Sequence, residues 1–123
     1  MLIKGFAELT LEARDPVALG RFYAESFGLT EISRDRDRVW LRAGSRARLG
    51  LWTPGTKEFG DEGGRHVHFA FHVEPGGLPE LAERLRERGL EVEGPVEHEG
   101  GDRSIYLRDP EGNVVEAWDR YER

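Results

Sequence analysis

The sequence contains no cysteine, and lysine is nearly missing: 16 of its 18 cationic residues are arginine. Without cysteine there is no disulfide, no thiolate-bound zinc or iron–sulfur cluster and no thiol nucleophile. Any ligand set must therefore be built from oxygen and imidazole. No apolar run approaches the roughly 18 residues of a membrane span. The opening MLIKGFAEL reads as too short and too acidic for a signal peptide, so a cytoplasmic protein without a membrane partner is expected. A basic stripe is also lacking, since 18 Lys+Arg stand against 24 Asp+Glu, a formal net charge of −6. Such a balance argues against nucleic acid and anionic lipid as partners. The 123 residues make about one domain, and a chain of this size buries roughly 65% of its unfolded surface, enough for a core without staples. Glycine, by contrast, is abundant. Sixteen glycines among short apolar runs imply many tight connections and a sheet-rich fold.

Residues 6–13 (FAELTLEA) alternate, with Leu9, Leu11 and Ala13 on one side and Glu8, Thr10 and Glu12 on the other, the pattern of a strand. Asp15-Pro16 then opens a helix whose apolar positions Leu19, Phe22, Tyr23 and Phe27 keep helical spacing until Gly28 stops it. Strands are expected near 29–34, 38–43 and 47–53. The polar, glycine-rich stretch PGTKEFGDEGGR (54–65) reads as a loop or linker. The same order then returns. HVHFAFHV (66–73) alternates, and 78–88 form an amphipathic helix with Leu78, Leu81, Ala82 and Leu85 on one side and Gly89 as its stop. Three more strands follow near 90–98, 103–108 and 113–119, the last two joined by a tight turn at Asp109-Pro110-Glu111-Gly112-Asn113.

Three registers tie the halves together. Glu8 corresponds to His68, Gly28-Leu29 to Gly89-Leu90, and LGLW (49–52) to VEAW (115–118). An internal duplication of about 60 residues is the main organisational signal. The expected fold is α+β: two βαβββ modules forming a curved mixed sheet, a half-barrel cup with the helices outside. Module one spans about 1–54, the linker 55–65 and module two about 66–123, as a single domain. The apolar sides, Leu9/Leu11 and Phe69/Phe71, should meet the helices. The opposite sides line the concavity and carry Glu8, Thr10 and Glu12 on the first strand, His66, His68 and His72 on the fifth, and Glu116 on the last.

The opening LTLEARD (9–15), the helix core Arg21-Phe22-Tyr23 with Phe27-Gly28-Leu29, the strand HVHFAFHV and the close YLRDPEGNVVEAW (106–118) resemble the vicinal oxygen chelate superfamily. That superfamily includes glyoxalase I, extradiol dioxygenases, fosfomycin-resistance thiol transferases and bleomycin-binding proteins, and the resemblance runs nearly end to end. It implies a divalent metal in the cup, held by residues that fall here on Glu8, His68 and Glu116. Glu8 departs from the family pattern, which most often has histidine there. A further carboxylate of the four-ligand members would fall on Gly50, which offers no donor. That counts against a glyoxalase I-type isomerisation. A set of one histidine and two carboxylates likewise departs from the two-histidine triad of the dioxygenases. The region Gly100-Gly101-Asp102-Arg103 lacks the serine and glutamate of the fosfomycin enzymes' cation loop.

A cation still has a physical argument behind it. Two carboxylates converging on one cup repel unless a positive partner is present. A divalent ion such as Mn, Zn, Ni or Fe with Glu8, His68 and Glu116 would give a locally neutral site and polarise a bound oxygen as a Lewis acid. The rival is a metal-free cup in which Arg42, Arg48 or Arg103 pairs with Glu8. Trp40, Arg42, Trp52, His66, His72, Tyr106 and Trp118 are the expected pocket lining, with barrel core or a dimer interface as the alternative for the aromatic residues. His98 and the 54–65 loop are given no role. Two functions are expected in contrast: a small metalloenzyme acting on an oxygen-chelating small molecule, or a metal-free protein that sequesters a small molecule. A homodimer is the default assembly.

Overall fold

The computed structural model describes residues 6–54 and 68–120. They fall into two compact units that divide between residues 65 and 66. Each unit is a βαβββ module with its own four-stranded mixed sheet. This is the α+β module pair expected from the repeat. Residues 55–67, including His66 and the whole of the expected 55–65 linker, lie outside the described residues.

In the first unit the elements are β1 (Glu8–Glu12), α1 (Pro16–Phe27), β2 (Thr30–Arg34), β3 (Arg38–Ala43) and β4 (Ala47–Trp52), with sheet order β1-β4-β3-β2. β1 runs parallel to β4 and the other pairs are antiparallel. Helix α1 starts where the Asp15 carboxylate accepts the Ala18 N–H at 3.0 Å, which satisfies one of the unpaired donors of the first turn. It ends where Gly28 enters the left-handed region at φ +74° and donates its N–H to the Ala24 carbonyl. Leu11, Leu19, Tyr23, Val39, Leu41, Leu49 and Leu51 make the core between helix and sheet, each no more than 2% exposed. Burying each such leucine contributes roughly 1.5–3 kcal/mol, so the alternating leucines of β1 and β4 decide which face of the sheet the helix covers.

The second unit comprises β5 (His68–His72), α2 (Leu78–Glu87), β6 (Glu93–Glu97), β7 (Arg103–Arg108) and β8 (Val114–Trp118), in the order β5-β8-β7-β6. Its core is Leu78, Ala82, Leu85, Ile105, Leu107, Val115 and Ala117. The β7–β8 turn is held by the buried Asp109 carboxylate, which accepts the backbone N–H groups of Glu111 and Asn113 and the Asn113 side-chain amide. That turn fixes the register Arg108↔Val114, Tyr106↔Glu116 and Ser104↔Trp118.

One boundary differs from the expectation. The sixth strand begins at Glu93 rather than at residue 90. The Arg86 guanidinium donates to the Val92 and Gly94 carbonyls at 3.2 and 2.9 Å, so α2 takes up backbone acceptors that a longer strand would use in a ladder. Among the described residues, no helix is long and apolar enough to cross a membrane.

Candidate functional site

Each sheet has one face packed under its helix and one polar face, and the two polar faces are built differently. In the first unit, strand alternation and register place Glu8, Thr10 and Glu12 of β1 beside Arg48, Gly50 and Trp52 of β4, with Arg38, Trp40 and Arg42 of β3 beyond them. Glu8 Oε1 accepts from Arg48 Nε at 3.2 Å and from Nη2 at 3.0 Å. Both side chains are about half exposed, so the pair is worth at most about 1 kcal/mol. The Arg48 guanidinium also lies over the Trp40 ring, 3.9 Å from its centroid, and Arg38 lies over Trp52 at 4.3 Å. The two indoles meet edge to face at 5.7 Å. A Cβ on Gly50 would sit 2.5 and 2.8 Å from Trp40 ring carbons and 2.8 Å from Trp52 Nε1. The position of the expected fourth donor is thus filled by aromatic rings. Two buried donors on this face, Arg38 Nε and Trp52 Nε1, have no acceptor among the described residues. Arg42 is exposed.

The second unit gathers titratable groups on its polar face. β5 and β8 pair in parallel with Ala70 opposite Glu116, which sets His68 diagonally beside Glu116. His68 Nε2 lies 3.0 Å from Glu116 Oε1. Glu116 is buried, at 7% exposure, and its other oxygen, Oε2, accepts the Ser104 hydroxyl at 2.6 Å. Ser104 Oγ in turn lies 2.9 Å from His98 Nε2. Because the serine proton points to the carboxylate, the histidine must donate, which places a proton on His98 Nε2. Tyr106 stands opposite Glu116 in register, with its ring 6.2 Å from that of His68. Burial, aided by the Glu116 charge, pushes the Tyr106 phenol above its ordinary value, while a hydrogen bond with Ser104 pulls the other way.

Beyond this cluster the face opens into a groove of about 830 Å³ whose lining includes Pro75, His98, Asp102, Trp118 and Arg120. The Trp118 indole donates to Asp102 Oδ2. That bond is the main cause of an Asp102 carboxyl held below its usual range, with His98 and Arg120 adding smaller contributions. The ring also meets His98 at 5.7 Å and the Arg120 guanidinium at 5.6 Å.

Of the expected donors, His68 and Glu116 are brought together. Glu8 belongs to the first unit and is engaged by Arg48, the arginine pairing foreseen as the rival. Within each unit, among the described residues, no three His, Asp or Glu side chains assemble as a metal-holding group. Among the expected lining residues, Trp40 and Trp52 cover Gly50, Tyr106 flanks Glu116, Trp118 borders the groove, and His72 is exposed at the end of β5. Ser104 and His98 are the residues sequence reading passed over. Ser104 was countable, because the Asp109–Asn113 turn fixes Ser104 opposite Trp118 and so diagonal to Glu116. His98 had no such signal.

The model of the glyoxalase-like domain family matches residues 8–117. The chain belongs to that family, within the vicinal oxygen chelate superfamily. A search of curated proteins finds no match. Among solved structures, this glyoxalase-like chain is similar to a lactoylglutathione lyase from Agrobacterium tumefaciens, with 26% identity and a TM-score of 0.86, over 97% of this chain and 96% of that one. It is also similar to an integron cassette protein from the mobile metagenome of the Halifax Harbour sewage outfall, at 27% identity and TM-score 0.83, over 96% and 100% of the two chains. Oxidase ChaP-H2 shares the fold at 22% identity and TM-score 0.77, over 98% and 96%.

Proposed function

We propose that this glyoxalase-like chain is a small divalent-metal-dependent enzyme acting on a small molecule that presents two oxygens. His68 and Glu116 are its metal-holding pair. The observation that carries the reading is the approach of His68 Nε2 to Glu116 Oε1 at 3.0 Å while Ser104 holds the opposite oxygen. An imidazole nitrogen and a carboxylate oxygen 3.0 Å apart, with the carboxylate held from behind by Ser104, are donor types suited to Mn, Zn, Ni or Fe. Such an ion supplies Lewis-acid polarisation of a substrate oxygen when bound. The protein's own groups do the rest. Tyr106, whose phenol stands beside Glu116 and Ser104, is a hydrogen-bond donor for a substrate oxygen. The Trp118 groove gives the substrate body an aromatic wall.

Metal content and calorimetric titration of untagged protein test this reading. Stoichiometric uptake is expected, abolished by His68→Ala and by Glu116→Ala. No uptake of Mn, Zn, Ni or Fe by the wild type sinks it.

A second reading, a metal-free protein that sequesters a small molecule, draws on the first unit. There Arg48 already neutralises Glu8, and the buried donors Arg38 Nε and Trp52 Nε1 have no acceptor among the described residues. On that reading a ligand quenches tryptophan fluorescence equally well in the presence of a chelator.

A further inference from the structure

Glu116 is the most deeply buried of the proposed donors, and a buried carboxylate has a specific difficulty. Each of its oxygens must find a partner, and its terminal torsion is broad, so its orientation is not set by packing alone. The structure meets this with a chain of side chains that starts in the backbone of a turn. His98 is anchored in the β6–β7 turn, where its N–H donates to the Asp102 carbonyl at 2.8 Å and its carbonyl accepts from Gly101 at 3.0 Å. Its ring rests against Trp118. From there the contacts run His98 Nε2 to Ser104 Oγ at 2.9 Å, Ser104 Oγ to Glu116 Oε2 at 2.6 Å, and Glu116 Oε1 to His68 Nε2 at 3.0 Å. The serine hydroxyl is fully buried and has one proton. That proton goes to the carboxylate, at a separation typical of a charge-assisted O–H···O⁻ bond. His98 then has to supply the donor that fills the serine lone pair.

We infer that Ser104 and His98 are positioning residues that fix the Glu116 carboxylate, with Oε2 locked and Oε1 turned toward His68. Neither touches a reacting atom; both act through Glu116. The internal repeat supplies a comparison within the chain. The register Ser104↔Trp118 and Tyr106↔Glu116 of the second unit matches Arg38↔Trp52 and Trp40↔Gly50 of the first. Where the carboxylate is replaced by glycine, the hydroxyl is replaced as well, by an arginine that stacks on Trp52. The serine is therefore present where there is a carboxylate to orient. As a statement about metal binding, the inference rests on the proposed reading; as a statement about carboxylate geometry, it stands on the hydrogen bonds alone.

Two measurements separate these levels. Long-range ¹H–¹⁵N NMR of the metal-free protein reads the ring tautomers. His98 and His68 are both expected as the Nε2-protonated form, and in Ser104→Ala both should shift toward mixed tautomers while the circular dichroism spectrum stays native. Calorimetric titration with Ni²⁺ reads affinity. Ser104→Ala and His98→Ala should bind roughly 10–100-fold more weakly than wild type. His98→Gln, which keeps an N–H donor near the Nε2 position, should recover most of the loss. If Ser104→Ala leaves both tautomers in place, the inference is overturned whether or not nickel binds. If wild type binds nickel and Ser104→Ala binds it equally well, the inference fails while the metal reading stands. If wild type takes up no metal but the tautomers depend on Ser104, the metal reading alone is lost.

Discussion

A single missing Cβ decides the character of the first unit's polar face. Gly50 lies where its counterpart in the second unit is Glu116, and the space a side chain would need is taken by Trp40 and Trp52. Gly50→Ala should therefore destabilise the protein by about 1–3 kcal/mol through overpacking, read as a lowered urea midpoint with unchanged slope. The sequence showed that no donor stands at position 50; it did not show that two indoles had closed over it, because a ring's resting place depends on partners three strands wide. Asp102 gives a second test at this scale. Its carboxyl is held below the usual range, chiefly by the Trp118 indole N–H. A depressed folded pKa contributes stability that is present above the unfolded value of about 3.9 and is lost as pH falls through the lower folded value. Acidification should thus break the Asp102–Trp118 bond below about pH 4 and change tryptophan emission. In Asp102→Asn that acid step should be missing. An identical step in both proteins assigns it elsewhere.

Elements were the most legible level, because alternation and capping are local. Strand β1, helix α1 and the Asp109–Asn113 turn fall where Leu9/Leu11, Asp15-Pro16 and the proline–glycine turn place them. Helix α1 has no acidic residue in its first turn and no basic residue in its last, so its ends depend on the Asp15 side chain and on Gly28. Asp15→Ala should cost about 1 kcal/mol, measured by chemical denaturation, whereas Asp15→Ser should cost far less because the hydroxyl also caps. Strand β6 was the least legible element. Its start depends on where the Arg86 side chain finds acceptors, and its register slips between Glu93 and Val96. A slip of that kind is set by cross-strand geometry and leaves no period-two signature. It is also why His98, just beyond β6, could not be placed against Ser104 by counting.

At the scale of the whole chain, one βαβββ plan is used twice with different contents. The first polar face carries arginines stacked on tryptophans, and the second carries the His68–Glu116 pair with its serine and histidine support. The repeat itself was readable because strand spacing and helix stops survive in both copies. The partnership of Glu8 with Arg48 was readable only as one of several arginine pairings, since β1 and β4 are adjacent through a parallel register that sequence distance conceals. What binds the His68–Glu116 pair should be visible in global stability. A ligand that binds only the folded state at about 100 times its dissociation constant adds about 2.7 kcal/mol, which for a chain of this length raises the melting temperature by roughly 10 °C. Saturating Ni²⁺ should therefore raise the melting temperature of the wild type, and chelator should reverse the shift. His68→Ala and Glu116→Ala should melt at the same temperature with and without metal.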